Sequence, residues 1–152
     1  MEIIFKISKN LKEIKQSYSL ISNHYQKQDL NQSKFDEIIK EMISRNNYQM
    51  LMVFVKEKAE KKLIAVCGFW IARMFYCGRY LQISNLIVSE KYRSNGVGKK
   101  VLQYIENIAL KHDCQKVVLD SYTENKKSHS LYFKEGFYIR GFHFMKDVGG
   151  DN

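Results

Sequence analysis

The sequence predicts a mixed α/β (α+β) domain, with helices packed against one curved sheet. Three observations carry this. Apolar runs of strand length, such as residues 50–55 and 80–88, alternate with helix-period stretches, of which residues 96–112 are the most regular. Charged or glycine-bearing turns separate neighbouring strands and point to hairpins. The chain has 152 residues, is 45% hydrophobic and carries 10 Tyr, 9 Phe and 1 Trp, which fits one core and argues against a disordered chain. A domain of this size buries roughly 70% of its unfolded surface and folds without staples.

Each element has its own signal. Residues 1–7 alternate weakly and read as an opening strand. Asn10 is the candidate cap of a helix running to residue 23, with Leu11, Ile14, Tyr18 and Ile21 on one face. Ser33 is the candidate cap of a second helix, with Asp36 three residues on approximating a capping box and Phe35, Ile38, Ile39 and Met42 toward the core. Residues 50–55 read as a strand, the charged residues 56–62 as a hairpin turn, and residues 63–72 as a buried strand holding Trp70. Residues 75–79 form a second turn, in which Gly78 is the permissive residue, and residues 80–88 a further strand. The helix that follows carries Val97, Val101, Leu102, Ile105, Ile108 and Ala109 on one stripe. Residues 116–121 read as a short β-branched strand, 128–134 as a short helix stopped by Gly136, and 137–145 as a closing strand. Residues 149–152 read as a flexible tail, which leaves 1–148 as a single domain.

Composition narrows the function classes. The longest apolar run, residues 63–72, is about half of the 20 residues that a membrane-spanning helix needs. The first residues lack the basic start and apolar core of a secretion signal, so the expectation is a soluble, cytoplasmic protein without a membrane partner. Cys67, Cys77 and Cys114 are an odd set without CxxC spacing, which argues against a disulfide framework and a structural zinc, and no metal is expected. Cys67 and Cys114 read as buried, and Cys77 as a turn residue without an evident activating base. A balance of 25 basic to 16 acidic residues gives +9, which suits an anionic partner or a solvated basic surface. No nucleic-acid recognition motif accompanies it, so nucleic acid is disfavoured.

The informative window is residues 86–100. An apolar strand enters a polar turn, meets Gly96 and Gly98, and continues into the amphipathic helix. The first four N–H groups of that helix have no internal partner, and with the helix dipole they make an anion site. Arg93, Lys99 and Lys100 cluster there and no acid occupies the first turn. Cations at a helix start cost about 0.3–1 kcal/mol each, a sign that a bound polyphosphate reverses. A glycine-rich turn with solvated lysines stays open on this window alone. A P-loop is disfavoured because Val101 follows Lys100, and a dinucleotide fingerprint because the third glycine is missing.

Arg93-Ser94-Asn95-Gly96-Val97-Gly98 resembles the R/Q-x-x-G-x-G/A motif of the GNAT superfamily of N-acetyltransferases. Asn85-Leu86-Ile87-Val88 looks like that family's fourth strand. The stretch from Asn125 to Phe137 is similar to its N-x-x-A-x-x-L-Y-x-x-x-G-F segment, with Ser128 where Ala is usual. The resemblance implies a GNAT-like fold, a central curved mixed sheet of about six or seven strands flanked by about four helices. It implies acetyl-CoA as cosubstrate and a primary amine, in a small molecule or a peptide, as acceptor.

The site residues follow from the same resemblance. Backbone amides of Arg93, Ser94, Asn95, Gly96, Val97, Gly98 and Lys99 would hold the pyrophosphate. Leu86, Ile87 and Val88 would pair with the pantetheine arm, and the N–H of Ile87 or Val88 would polarise the acyl carbonyl. Asn125 and Ser128 match cofactor-contacting positions. Tyr132 matches the tyrosine near the sulfur, where a phenol of pKa about 10 suits a general acid. Many family members carry an acid at the position of Asn85, and an amide cannot act as a base, although it can hold a water. Glu90, Asp120 and His143 are the other candidate bases. Residues 25–32 and the Phe75-Tyr76 turn are candidate rims of the acceptor site. The competing reading is a non-catalytic CoA-binding sensor or interaction module. Homodimers are common in the family, and no feature of this sequence specifies one.

Overall fold

A computed structural model describes residues 1–149; Gly150, Asp151 and Asn152, most of the expected tail, lie outside the described residues. The chain divides into two compact units, the first Met1–Leu119 and the second beginning at Asp120.

The first unit holds a five-stranded mixed sheet in chain order: β1 (Ile3–Ser8), β2 (Gln49–Glu57), β3 (Glu60–Met74), β4 (Gly78–Val88) and β5 (Lys116–Leu119). The first four are antiparallel neighbours, and β5 joins β4 in parallel. A parallel neighbour requires a long crossover, and the helix α4 (Val97–Lys111) supplies it. Met50, Leu51, Met52 and Val53 are all buried in succession, so both faces of the sheet are covered. On one face Met50, Met52, Val66 and Ile87 pack with Ile14, Ile21, Phe35 and Ile39. Those four come from α1 (Leu11–Ile14), α2 (Tyr18–His24) and α3 (Gln32–Asn46). Side chains alternate along a strand, which leaves the other face to α4, whose Tyr104 stacks on Phe5 at 4.5 Å. All six apolar residues of its stripe are buried, the five larger than Ala109 each contributing about 1.5–3 kcal/mol.

The mixed α/β class is as expected, while five strands form among the described residues rather than six or seven. Asn10 caps α1, its Oδ1 accepting from the Lys12 and Glu13 N–H groups. The expected single helix to residue 23 is interrupted by a 3-10 turn at Lys15–Ser17, where the buried Ser17 hydroxyl donates to the Ile14 carbonyl at 2.6 Å. Ser33 does not cap the second helix. Asn31 does, accepting from Lys34 N–H at 2.8 Å, which places Ser33 inside α3. The first hairpin turn shrinks to Lys58-Ala59 because Glu57 pairs with Glu60. Cys77 is buried despite its turn position, and Cys114 is half-buried.

The second unit contains α5 (Lys126–Lys134). Gly136, at φ 89, reverses the chain and brings the ring of Phe137 to 5.8 Å from Tyr132. The closing strand expected at 137–145 is not present. Its alternation is real, but a strand also needs a neighbour for its ladder bonds, and this segment enters no ladder.

Candidate active site

The site begins where two strands part. β5 pairs with β4 only from Tyr80↔Lys116 to Ile83↔Leu119. Beyond that, β4 carries a bulge: Ile83 faces Phe69 and Asn85 faces Gly68, leaving Ser84 as the extra residue. Leu86, Ile87 and Val88 then pair with Cys67, Val66 and Ala65 on one edge, while the opposite edge has no strand beside it among the described residues. An open edge is a template for an extended ligand.

Past Val88 the backbone is tied down before it turns. Ser89 N–H donates to the Ile64 carbonyl at 2.8 Å, and Arg93 Nε donates to the Val88 carbonyl at 3.0 Å. Tyr92, buried, donates its hydroxyl to Glu57 at 2.6 Å, with Lys62 and Lys91 each 5.7 Å from its ring centre. That hydrogen bond holds the Glu57 carboxyl below its ordinary range and raises the Tyr92 phenol. The turn is thereby fastened to the β2–β3 hairpin. Ser94 (φ 63) and Gly96 (φ 76) are both left-handed, a conformation that costs a non-glycine of order 1–3 kcal/mol. Gly96 begins α4 without a side-chain cap, and no acid lies in the first turn. A Cβ at Gly96 would meet nothing within 4 Å. The turn is therefore open on the Gly96 side, where an anion cradle needs room, while the Arg93 N–H is already given to the Glu90 carbonyl at 3.2 Å. Val97 is buried in the core and offers only its backbone; Lys99 is exposed.

A cavity of about 230 Å³ lies beside the same strand, lined by Ser84 and Asn85 of β4, by Tyr48, and by apolar side chains of α2 and α3. Tyr25, Gln28 and Leu30, from the expected rim at 25–32, line it; the Phe75-Tyr76 turn does not. Tyr48 donates its hydroxyl to Asn85 Oδ1 at 2.8 Å, and burial pushes the phenol's pKa well up, so it stays protonated. Gly68 makes the pair possible: a Cβ there would collide with both Tyr48 Oη and Asn85 Oδ1. Asn85 Nδ2 is buried without a hydrogen-bond partner among the described residues. Lys34 is the one charged lining residue, and no carboxylate lines the cavity. The ring of His24 meets that of Tyr25 edge-on at 4.7 Å. Burial, then the Arg93 charge, lowers the pKa of His24.

The proposed bases fare differently. Glu90 is exposed in the Glu90–Tyr92 3-10 turn. Asp120 and His143 pair with each other at 2.9 Å in the second unit. That unit also holds Asn125, which precedes α5, and the half-buried Ser128 and Tyr132 on it. His129 Nε2 lies 2.8 Å from the Tyr122 carbonyl and 3.1 Å from Ser121 Oγ. The carbonyl can only accept, so Nε2 carries the proton and is no base for Ser121.

Sequence reasoning located the edge and the turn but missed Tyr48, Gly68, Lys34, His24 and Tyr92. One signal was present: an isolated glycine inside an apolar strand marks a bulge or a close approach, and Gly68 is both beside a bulge and under a side chain.

The chain belongs to the acetyltransferase (GNAT) family, whose model matches residues 11–137. It is 28% identical over 95 residues to glucosamine 6-phosphate N-acetyltransferase of Arabidopsis thaliana, covering 61% of this chain and 63% of that protein. It is 34% identical over 85 residues to YhdJ, an uncharacterized N-acetyltransferase of Bacillus subtilis, covering 55% and 60%. The chain thus spans about three fifths of the length of these curated relatives. A GNAT family acetyltransferase structure from Staphylococcus aureus shares the fold, with a TM-score of 0.75 at 20% identity over 97% of this chain and 100% of that one. No helix among the described residues is long and apolar enough to cross a membrane.

Proposed function

We propose that this chain transfers an acetyl group from acetyl-CoA to a primary amine, directly and in a ternary complex. The observation that carries the reading is the open β4 edge at residues 86–88, which leads into the uncapped, unobstructed start of α4. Acetyl-CoA supplies an activated thioester and a thiolate leaving group. Leu86, Ile87 and Val88 hold the pantetheine arm as an added strand, and the Ile87 or Val88 N–H donates to the acyl oxygen as charge develops on it. The amides of residues 94–99 hold the pyrophosphate, with the Arg93 and Lys99 side chains offsetting its charge; the Arg93 N–H, counted with them from the sequence, is taken by the Glu90 carbonyl. Asn125 and Ser128 contact the cofactor. Tyr132 donates a proton to the departing sulfur and is reprotonated, through water, by the proton that the nitrogen releases as the amide forms. Asn85 positions a water or the acceptor and takes no proton. In this reading residues 1–148 work as one domain.

The amide at Asn85 also favours a second reading, in which the chain binds CoA without transfer. Calorimetric titration with acetyl-CoA at about 150 mM salt tests both. Saturable stoichiometric binding is expected, and a folded sample that fails to bind overturns them together. Turnover separates them: Tyr132→Phe should lower kcat about a hundredfold with acetyl-CoA affinity unchanged. A variant as active as the parent removes Tyr132 as the acid.

A further inference from the structure

We propose that the cavity beside β4 selects a weakly basic primary amine on a compact apolar body with a hydrogen-bond acceptor near the amine, as in an α-amino amide, over strongly basic amines. This deepens the acetyltransferase reading and rests on it. Four observations point the same way. The cavity holds about 230 Å³, less than the ~300–1,000 Å³ of sites for drug-sized ligands, so it takes one small body. Its walls are apolar and aromatic, from Tyr25, Leu30, Phe35 and Met42. Asn85 lines the cavity and its Nδ2 is a donor without a partner that solvent does not reach; an acceptor group on the ligand would satisfy it once the amide turns toward the cavity. The one charge on the wall is the cation Lys34, with no carboxylate to receive an ammonium.

The charge and the burial act together on an ammonium group. Desolvation disfavours it unless it is paired, and Lys34 repels it. The neutral amine meets neither penalty. It also balances the transfer without an outside base. The nitrogen lone pair bonds to the acyl carbon, the C–S bond breaks with its electrons on sulfur, and the proton that nitrogen loses equals the proton that sulfur gains. An ammonium would bring one further proton. The titratable groups lining the cavity are Lys34, Tyr25 and Tyr48; Tyr48 is held protonated, and Lys34 is a cation. The strong bases suffer in proportion to their protonation. With pKa values of about 7.7–8.0 for an α-amino group and 10.4 for a lysine-like amine, the neutral fractions at pH 7.5 differ by more than about a hundredfold.

Two probes with the same arylethyl body test this: phenylalaninamide and 2-phenylethylamine. Calorimetry without acetyl-CoA reads the cavity alone. At pH 7.5 phenylalaninamide should bind at least about tenfold tighter, and at pH 9 the gap should narrow as the stronger base loses its proton. Lys34→Glu, at an exposed position that leaves the core intact, should narrow the gap at pH 7.5 by admitting the ammonium. With acetyl-CoA present, kcat/KM should follow the same order. Equal binding, or tighter binding of 2-phenylethylamine at pH 7.5, overturns the proposal and would mark the rings as an ammonium cage instead. No binding of either amine by protein that binds acetyl-CoA overturns the proposal and leaves the acetyltransferase reading standing. Failure to bind acetyl-CoA brings down that reading, and this proposal with it.

Discussion

The open edge of β4 and the cavity beside it share one strand but are made of different material. The edge and the turn after it work through backbone: the unpaired side of Leu86, Ile87 and Val88, the left-handed Ser94 and Gly96, and the uncapped start of α4. The cavity works through side chains brought from α2, α3, the residue before β2, and β4. A backbone site is fixed by where glycines and turns fall, and many side chains satisfy it. A side-chain site is fixed by identities scattered over the chain, and changing any of them changes what it accepts. That difference matches the roles proposed for them, a common cosubstrate at the first and a particular acceptor at the second.

Gly96→Asp should separate the two regions most sharply. The variant places a side chain and a negative charge where the pyrophosphate is proposed to lie. Unit charges 4 Å apart at a protein surface repel by about 4 kcal/mol before salt screening. A loss of about a hundredfold in acetyl-CoA affinity is expected, with binding of amine to the cavity unchanged. Calorimetry of each ligand by itself reads both. An equal loss for the amine would mean that the two regions are one.

Gly68→Ala strikes the other side. Its Cβ has no room beside Tyr48 Oη and Asn85 Oδ1, so the pair must move or the sheet must spread. Overpacking of this kind costs about 1–3 kcal/mol. We expect a lowered Tm, and a raised KM for the amine that exceeds any change in acetyl-CoA affinity. Gly68→Ala with Tyr48→Phe should recover at most a small part of the stability, since the hydroxyl is gone but the ring carbon that bore it and Asn85 Oδ1 still collide with the new Cβ. It should not recover the amine KM if the Tyr48–Asn85 hydrogen bond orients the amide. A double variant with normal KM would reduce Tyr48 to a core residue.

The same contrast explains what could be read before the structure. The helix α4 was legible in full because six apolar residues at helical spacing are a local pattern. The turn was legible because glycines and cations sit within a dozen residues. Asn31 displaced Ser33 as the cap of α3 because both residues suit the role and only the entry angle of the chain chooses between them. The segment 137–145 has a strand's alternation, but alternation describes a face and says nothing of a ladder partner. The Tyr48–Asn85 pair joins residues 37 apart, and the fourfold convergence of Tyr48, Gly68, Asn85 and α3 depends on the register of three strands. No local pattern encodes that register.

His24 tests whether the two regions are as separate as their materials. Its ring touches Tyr25 on the cavity wall, and its charge feels Arg93 in the turn. Burial, and secondarily Arg93, sets its folded pKa below 6.5. Between the folded value and 6.5, the unfolded chain holds more of the proton than the folded one. Stability must therefore rise with pH through that window, and the contribution of this group is lost as pH falls through it. The effect is small, because the group is only partly buried, and His24→Gln should flatten the rise of Tm with pH below 6.5. The sharper readout is the imidazole's own NMR titration. A polyphosphate held beside Arg93 offsets the cation that depresses His24, so acetyl-CoA should move the His24 midpoint upward. An amine amide in the cavity buries the ring further and should move it downward. Opposite shifts from the two ligands would show one residue reporting on both regions, each through its own physical cause. A midpoint that ignores acetyl-CoA would place the bound phosphates away from Arg93 and leave the turn's role to its amides alone.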